Sequence, residues 1–264
     1  MAQLQASGAT HAVPSDPDAR FRKHPEGGFA PAYNAQVVVD GHSRLIVATD
    51  VVMDATDAPA LAPLLAQVEA TWGQVAVTTV ADGGYHDGTA LQAVADAGYG
   101  GLVAHSAEET KAADQPFHAH PFGYDAATDP DPCPAGAPLL FRRETAARHA
   151  PDTRRRLYRG TACADCALTA QCAPNPGPRA LVRPPGAEAV AVNRAARGTP
   201  EGRALMRWRK AIVERVFAPI KSHGGIQRVR HRGLAKVRAE WAFCCLRYNL
   251  EVRRRQGWPM GARA

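Results

Sequence analysis

Residues 75–85 read Val-Ala-Val-Thr-Thr-Val-Ala-Asp-Gly-Gly-Tyr. The run from Val75 to Val80 is apolar and β-branched, as expected of a buried strand, and Ala81-Asp82-Gly83-Gly84-Tyr85 closes it with a turn. A carboxylate placed where a buried strand gives way to Gly-Gly projects from the rim of a sheet, a common location for chemistry. Working outward, a short helix is expected around Thr89 to Ala97 and a further strand at Gly101 to Ala104. Upstream, Leu61, Leu64, Leu65 and Val68 repeat at helical spacing within Ala58 to Trp72, and Asp54 to Asp57 supply an N-cap, with Asp57 read as the capping residue. Further upstream, Ala35–Asp40 and Arg44–Val52 flank Gly41-His42-Ser43 and read as an antiparallel hairpin. Strands and helices alternating in this order predict an α/β fold, a mixed sheet flanked by helices.

From about residue 107 to 198 no long periodic stretch is legible. The segment reads as an insertion that needs its own means of ordering. Helical periodicity returns from Pro200 to His223, with Ile212, Val213, Val216, Phe217 and Ile220 on one stripe, and a last helix is expected from about Leu234 to Arg254. The division that follows is a lead-in at 1–15, a first catalytic part at 16–106, a Cys-rich insertion at 107–198, a C-terminal part with basic helices at 199–255 and a tail at 256–264.

The chain has 264 residues, 45% of them hydrophobic, and suits one compact unit with at most a small appendage. No apolar run reaches the roughly 18–20 residues that span a bilayer, and the start lacks the pattern of a secretory signal, so a cytoplasmic protein without membrane contact is expected. The net charge of +7 is unevenly spread. Residues 203–255 hold 15 Lys or Arg against three acids, while the remainder holds 17 basic and 22 acidic residues. A solvated basic face and a polyanion-binding surface both fit that asymmetry.

Three acids stand out. Glu214 lies on the apolar-striped helix, with Lys210 four residues before it and Lys221 seven after; Ser15-Asp16-Pro17-Asp18 precedes the first strand region; and Asp82 follows the buried strand. Each also has an ordinary reading: Asp82 as a turn residue, Glu214 as a surface acid paired with Lys210, Asp16 as an Asx-turn former. Taken together, the strings Ser15-Asp16-Pro17-Asp18-Ala19-Arg20, Ala32-Tyr33-Asn34-Ala35-Gln36 with Val39-Asp40, Ala81-Asp82-Gly83-Gly84-Tyr85 and Arg209–Glu214 through Phe217 and Lys221 resemble the catalytic region of bacterial insertion-sequence transposases of the DDE type. Cys133-Pro134-Ala135-Gly136, the cysteines after it, Arg232-Gly233-Leu234 and Tyr248-Asn249-Leu250 extend the resemblance, which runs from about Ser15 to Leu250.

That resemblance implies a ribonuclease H-like fold with a Cys-rich insertion before the last catalytic helix. It also implies an endonuclease and strand-transfer activity in which Asp16, Asp82 and Glu214 hold Mg²⁺, or Mn²⁺, and DNA (transposon ends and target) is bound by a homodimer. Asp18 and then Asp40 are rivals to Asp16 as first acid. Arg209 or Lys210 with Lys221, and beyond them Arg228, Arg230, Arg232 and Lys236, are the expected phosphate contacts. The family's tyrosine on the Glu214 helix is absent, since Met206 or Arg207 occupies its place. The resembling chains also carry helices ahead of the first acid, whereas here that acid stands at residue 16, so the expectation is a chain shortened at its N-terminus, a truncated or inactive form in which end recognition and dimer assembly fail even where the metal site forms.

Cys163-x2-Cys166-x5-Cys172, with Cys133 some thirty residues earlier, has spacings compatible with a tetrahedral zinc site, and His118 and His120 are spare ligands. The alternatives are an iron–sulfur site and four free thiols. Cys244 and Cys245 read as small core residues. A non-catalytic, zinc-containing DNA-binding protein is the competing function.

Overall fold

A computed structural model describes residues 13–23, 27–54, 56–75, 77–105, 117, 133–147, 150–173, 175–222 and 228–257. Residues 1–12 of the expected lead-in, the spare ligands His118 and His120 and the end of the tail lie outside the described residues, while Val13, within that lead-in, is buried. The strands are β1 (Arg20–Lys23), β2 (Phe29–Ala32), β3 (Asn34–Val39), β4 (Ile46–Val52), β5 (Thr79–Ala81), β6 (Gly101–Val103), β7 (Leu139–Ala147), β8 (Ala150–Gly160) and β9 (Ala180–Arg183). The helices are α1 (Leu61–Trp72), α2 (Gly88–Asp96), α3 (Thr169–Cys172), α4 (Ala187–Gly198), α5 (Pro200–Ser222) and α6 (Leu234–Arg255). None of the described helices is long and apolar enough to cross a membrane.

Helices and strands are mixed as the expected α/β class requires, but the described strands pair in four small sheets where one mixed sheet was expected, and the chain forms two compact units where one was expected. The first comprises Met1–Val77 and Ala204–Ala264, the second Thr78–Arg203. These boundaries differ from the 107 and 199 suggested by composition.

In the first unit β3 and β4 form the expected antiparallel hairpin, with a register shift between Val38 and Val39. Asp40 shapes its turn. The Ser43 backbone N–H and hydroxyl both donate to Oδ2, at 2.7 and 2.6 Å, and these bonds hold the Asp40 carboxyl below its ordinary range against the opposing effect of burial. A core of Ile46, Val51, Val216, Ile220, Val237, Trp241 and Cys245 joins this hairpin to α5 and α6. Each such large apolar side chain contributes about 1.5–3 kcal/mol on burial. The stripe predicted on α5 is the one that packs, with Ile212, Val216 and Ile220 buried. Cys245 is buried as expected, its Sγ 3.6 Å from the Thr49 hydroxyl, and burial raises its thiol pKa to about 11.

Asp57 precedes a single 3-10 turn that leads into α1, yet its side chain caps nothing. Its carboxylate instead accepts from the amides of Asn34 and Gln36 on β3. The capping expectation is corrected for a physical reason: two amide donors on the same strand face outcompete the backbone of a one-turn helix.

In the second unit β5 and β6 pair in parallel, and Asn193 of α4 meets the backbone of Val103, accepting from its N–H at 2.9 Å and donating to its carbonyl at 3.0 Å. The strand expected over Val75–Val80 is realised only at Thr79–Ala81. The segment without legible periodicity contains an antiparallel sheet in the order β7-β8-β9, packed around Leu139, Tyr158 and Leu181.

Candidate functional site

Asp16 is buried, and its surroundings are well defined. The Tyr33 hydroxyl lies 2.8 Å from Oδ1 and 2.9 Å from Oδ2, while the Gly233 N–H donates to Oδ1 at 3.2 Å. Two residues on, Asp18 Oδ2 accepts from the Leu234 N–H at 2.8 Å. The Ser15–Asp18 string and the Arg232–Leu234 string, more than two hundred residues apart, thus meet at the start of α6. Gly233 sits there at φ +84°, a conformation that favours glycine, and Asp18 supplies from a distance the acceptor that a local N-cap side chain would provide. Burial first, then the hydrogen bond and charge of Asp16, push the Tyr33 hydroxyl far above the ordinary phenol pKa.

The remaining family-like strings in this unit also have structural roles. Asn249 pairs with the Ile46 backbone, accepting from its N–H and donating to its carbonyl, both at 2.8 Å. Trp241 Nε1 donates to the Gln36 carbonyl at 3.3 Å. These polar residues fasten the β3–β4 hairpin to α6.

Glu214 lies on α5 and is exposed. It makes no hydrogen bond or ion pair among the described residues, so the pairing with Lys210 does not form. Lys210 is exposed as well, Arg209 is half-buried with its Nε lacking a hydrogen-bond partner, and the Lys221 side chain lies outside the described residues. Downstream, Arg228, Arg230, Arg232 and Lys236 are exposed. The loop that carries them is tied to α6 by Glu240, which accepts from the Arg230 N–H at 3.0 Å and from the His231 N–H at 3.2 Å, with His231 Nδ1 at 3.1 Å. Burial pushes the Glu240 carboxyl up, but these bonds outweigh it and leave the pKa below the ordinary value.

Asp82 belongs to the second unit and stands immediately after β5, as expected. Its Oδ1 accepts from the Gly84 N–H at 2.8 Å, so the turn role is real. That bond leaves Oδ2 without a hydrogen-bond partner among the described residues.

The four cysteines of the second unit line one cavity of about 330 Å³. Cys133 opens a turn closed by the Gly136 N–H on its carbonyl, and Cys163 opens another closed by the Cys166 N–H. Cys133 and Cys172 pack against the Leu139–Tyr158–Leu181 cluster. The Arg179 N–H donates to Cys163 Sγ at 3.4 Å, and a Cβ at Gly160 would come within 2.5 Å of that sulfur. Burial raises the Cys172 thiol pKa; Arg179 lowers it, and the charges of the other three thiols raise it further. All four are free thiols. As they stand, no three His, Cys, Asp or Glu side chains among the described residues form a group that could hold a metal ion.

Residues 132–253, a little under half of the chain, match the family model described as Transposase DDE domain. The segment is thus similar to transposase DDE domains. The matched span holds the four cysteines, β7 to β9, Glu214 and the basic residues that follow it; Asp16 and Asp82 lie outside it. No curated protein and no solved structure gives a significant match.

Sequence reasoning missed one group of basic residues. Arg142, Arg143, Arg154, Arg155, Arg156 and Arg159 lie on β7 and β8. The Arg154-Arg155-Arg156 run was visible, but the acids elsewhere in 107–198 hid its local charge.

Proposed function

We propose that the chain carries out metal-dependent DNA cleavage and strand transfer at insertion-sequence ends, as the catalytic part of a DDE transposase acting as a homodimer on DNA. The observation that carries this reading is the DDE-domain match over the helix of Glu214 and the basic segment after it. In this reading Asp16, Asp82 and Glu214 are the acids of a ribonuclease H-like site. Their oxygen donors suit Mg²⁺ or Mn²⁺. When bound, such ions supply an activated oxygen nucleophile and neutralise the leaving oxygen. Glu214 and the Oδ2 of Asp82 have no competing partner to give up among the described residues, whereas Asp16 would have to share oxygens already held by Tyr33 and Gly233. Arg209, Lys210 and Lys221 hold the DNA phosphates beside the acids, while Arg228, Arg230, Arg232 and Lys236 add contacts that raise affinity without reading sequence.

The test is nicking of supercoiled plasmid with Mn²⁺ or Mg²⁺. The wild-type chain nicks, chelation stops it, and Asp82→Asn and Glu214→Gln each lower the rate at least about a hundredfold while leaving DNA affinity intact. Nicking that survives both substitutions contradicts the reading.

A second reading is favoured by a separate observation, the cavity lined by Cys133, Cys163, Cys166 and Cys172. Four thiolates drawn inward there would suit Zn²⁺, which would order a unit with a small apolar core. If DNA is bound and zinc retained without nicking under any divalent metal, the chain is a zinc-containing DNA-binding protein.

A further inference from the structure

The arginines of β7 and β8 are sorted by strand register onto two unlike faces. On one, Phe141 opposes Tyr158, Glu144 opposes Arg156, and Arg156 opposes Arg183. This face is occupied by its own contacts. The Phe141 and Tyr158 rings meet edge to face at 5.8 Å, the Arg156 guanidinium lies 5.5 Å from the Phe141 ring centre, and that of Arg183 lies 5.9 Å from the ring centre of Tyr158. Such stacking engages the cations within the fold.

On the other face Arg143 opposes Leu157, Thr145 opposes Arg155, and Leu140 opposes Arg159. It bears three arginines and no acid. Arg143 and Arg159 are exposed, as are Leu140 and Val182, while half-buried Arg155 donates to the Ala146 carbonyl at 3.1 Å and has no partner for its Nε. Arg155 and Arg159 are four residues apart on one strand, about 13 Å at roughly 3.3 Å per residue, and Arg143 sits midway on the neighbouring strand. Along the strand direction the charges therefore step by about 6.6 Å, close to two phosphate rises of about 3.4 Å along one DNA strand. Arg159 and the Leu157 that Arg143 opposes lie where β9 also pairs with β8, and from Arg155 outward β7 and β8 continue as a two-stranded ribbon, a shape that a DNA major groove admits.

We propose that this acid-free face of the β7–β8 pair binds the backbone of double-stranded DNA, with Arg155, Arg143 and Arg159 on alternate phosphates. The inference deepens the DNA-binding reading above and rests on it. It adds a second contact surface, built by the second unit and independent of the basic loop before α6. The arginines position DNA and do not read bases.

The experiment measures fluorescence anisotropy of a random-sequence DNA duplex titrated with the full chain in EDTA over a range of salt, so that cleavage plays no part. The combined variant Arg143→Gln/Arg155→Gln/Arg159→Gln is expected to bind about tenfold or more weakly near 0.1 M salt, with the slope of log K against log salt reduced by about 2–3. The matching Arg→Lys triple restores both, which separates lost charge from lost folding. Arg156→Gln, which removes a guanidinium stacked on Phe141, changes the slope by well under one. Wild-type affinity and slope in the glutamine triple, or an Arg156→Gln change in slope of one or more, overturns the proposal while leaving the catalytic reading untouched. Failure of the wild-type chain to bind DNA overturns both, and tighter binding to an RNA duplex than to DNA overturns the choice of partner.

Discussion

The Tyr33 hydroxyl stands 2.8 and 2.9 Å from the two carboxylate oxygens of Asp16, and the same carboxylate receives the Gly233 N–H at the head of α6. One buried acid therefore links the residues before β1, the residue before β3 and the last helix. An acid so placed has a structural duty whatever its catalytic one. Tyr33→Phe is expected to cost about 1.5–3 kcal/mol, the scale of a hydrogen bond to a charged group. Chemical denaturation measures it, and an unchanged midpoint would show that the bond contributes nothing.

Asp18 offers a cleaner case, because its carboxylate reaches the Leu234 N–H and serves α6 as a remote cap. Asp18→Ala should destabilise the chain by about 1 kcal/mol without altering nicking. Loss of nicking with stability intact would instead make Asp18 the first acid in place of Asp16.

The Glu240 carboxyl has a folded pKa below its ordinary value of 4.5, so it contributes stability that is fully present above that pH and is lost as pH falls through the folded pKa. Glu240→Gln is expected to be less stable than wild type by about 1–3 kcal/mol at neutral pH, with the gap closing progressively below pH 4.5. Thermal melts of both proteins across that window check the sign. A gap that widens on acidification would contradict it.

The cysteines can be tested by chemistry. The zinc reading expects one ion per chain, and its removal by chelator should lower the melting temperature and expose Cys133, Cys163, Cys166 and Cys172 to a thiol reagent. Cys245, with its pKa raised to about 11 by burial, should stay unreactive near neutral pH until the chain unfolds. Full reactivity of the four thiols as purified, with no metal recovered, would favour the free-thiol alternative.

Legibility of the fold followed the strength of its apolar patterning. The β3–β4 hairpin and helices α5 and α6 could be read because alternation or a repeating stripe points at one core, the cluster of Val51, Val216 and Val237 among others, and α1 because its own stripe of Leu61, Leu64 and Leu65 is buried. Strands β7 and β8 were not, because their sequence is dominated by arginine and their core contribution reduces to Leu139 and Tyr158. Asp57 misled for a different reason: its partners Asn34 and Gln36 come from a strand whose proximity no local pattern announces. The three candidate acids rest on strings resembling a family, and the contacts of Asp16 and Asp18 with Gly233 and Leu234 join two of those strings.

The most direct test of the central reading is a crystal of the full chain soaked in Mn²⁺ and examined by anomalous scattering. The reading predicts two peaks about 3.5–4 Å apart, held by Asp16, Asp82 and Glu214. Carboxylates separated by more than about 10 Å, or manganese bound anywhere but at these acids, would contradict it.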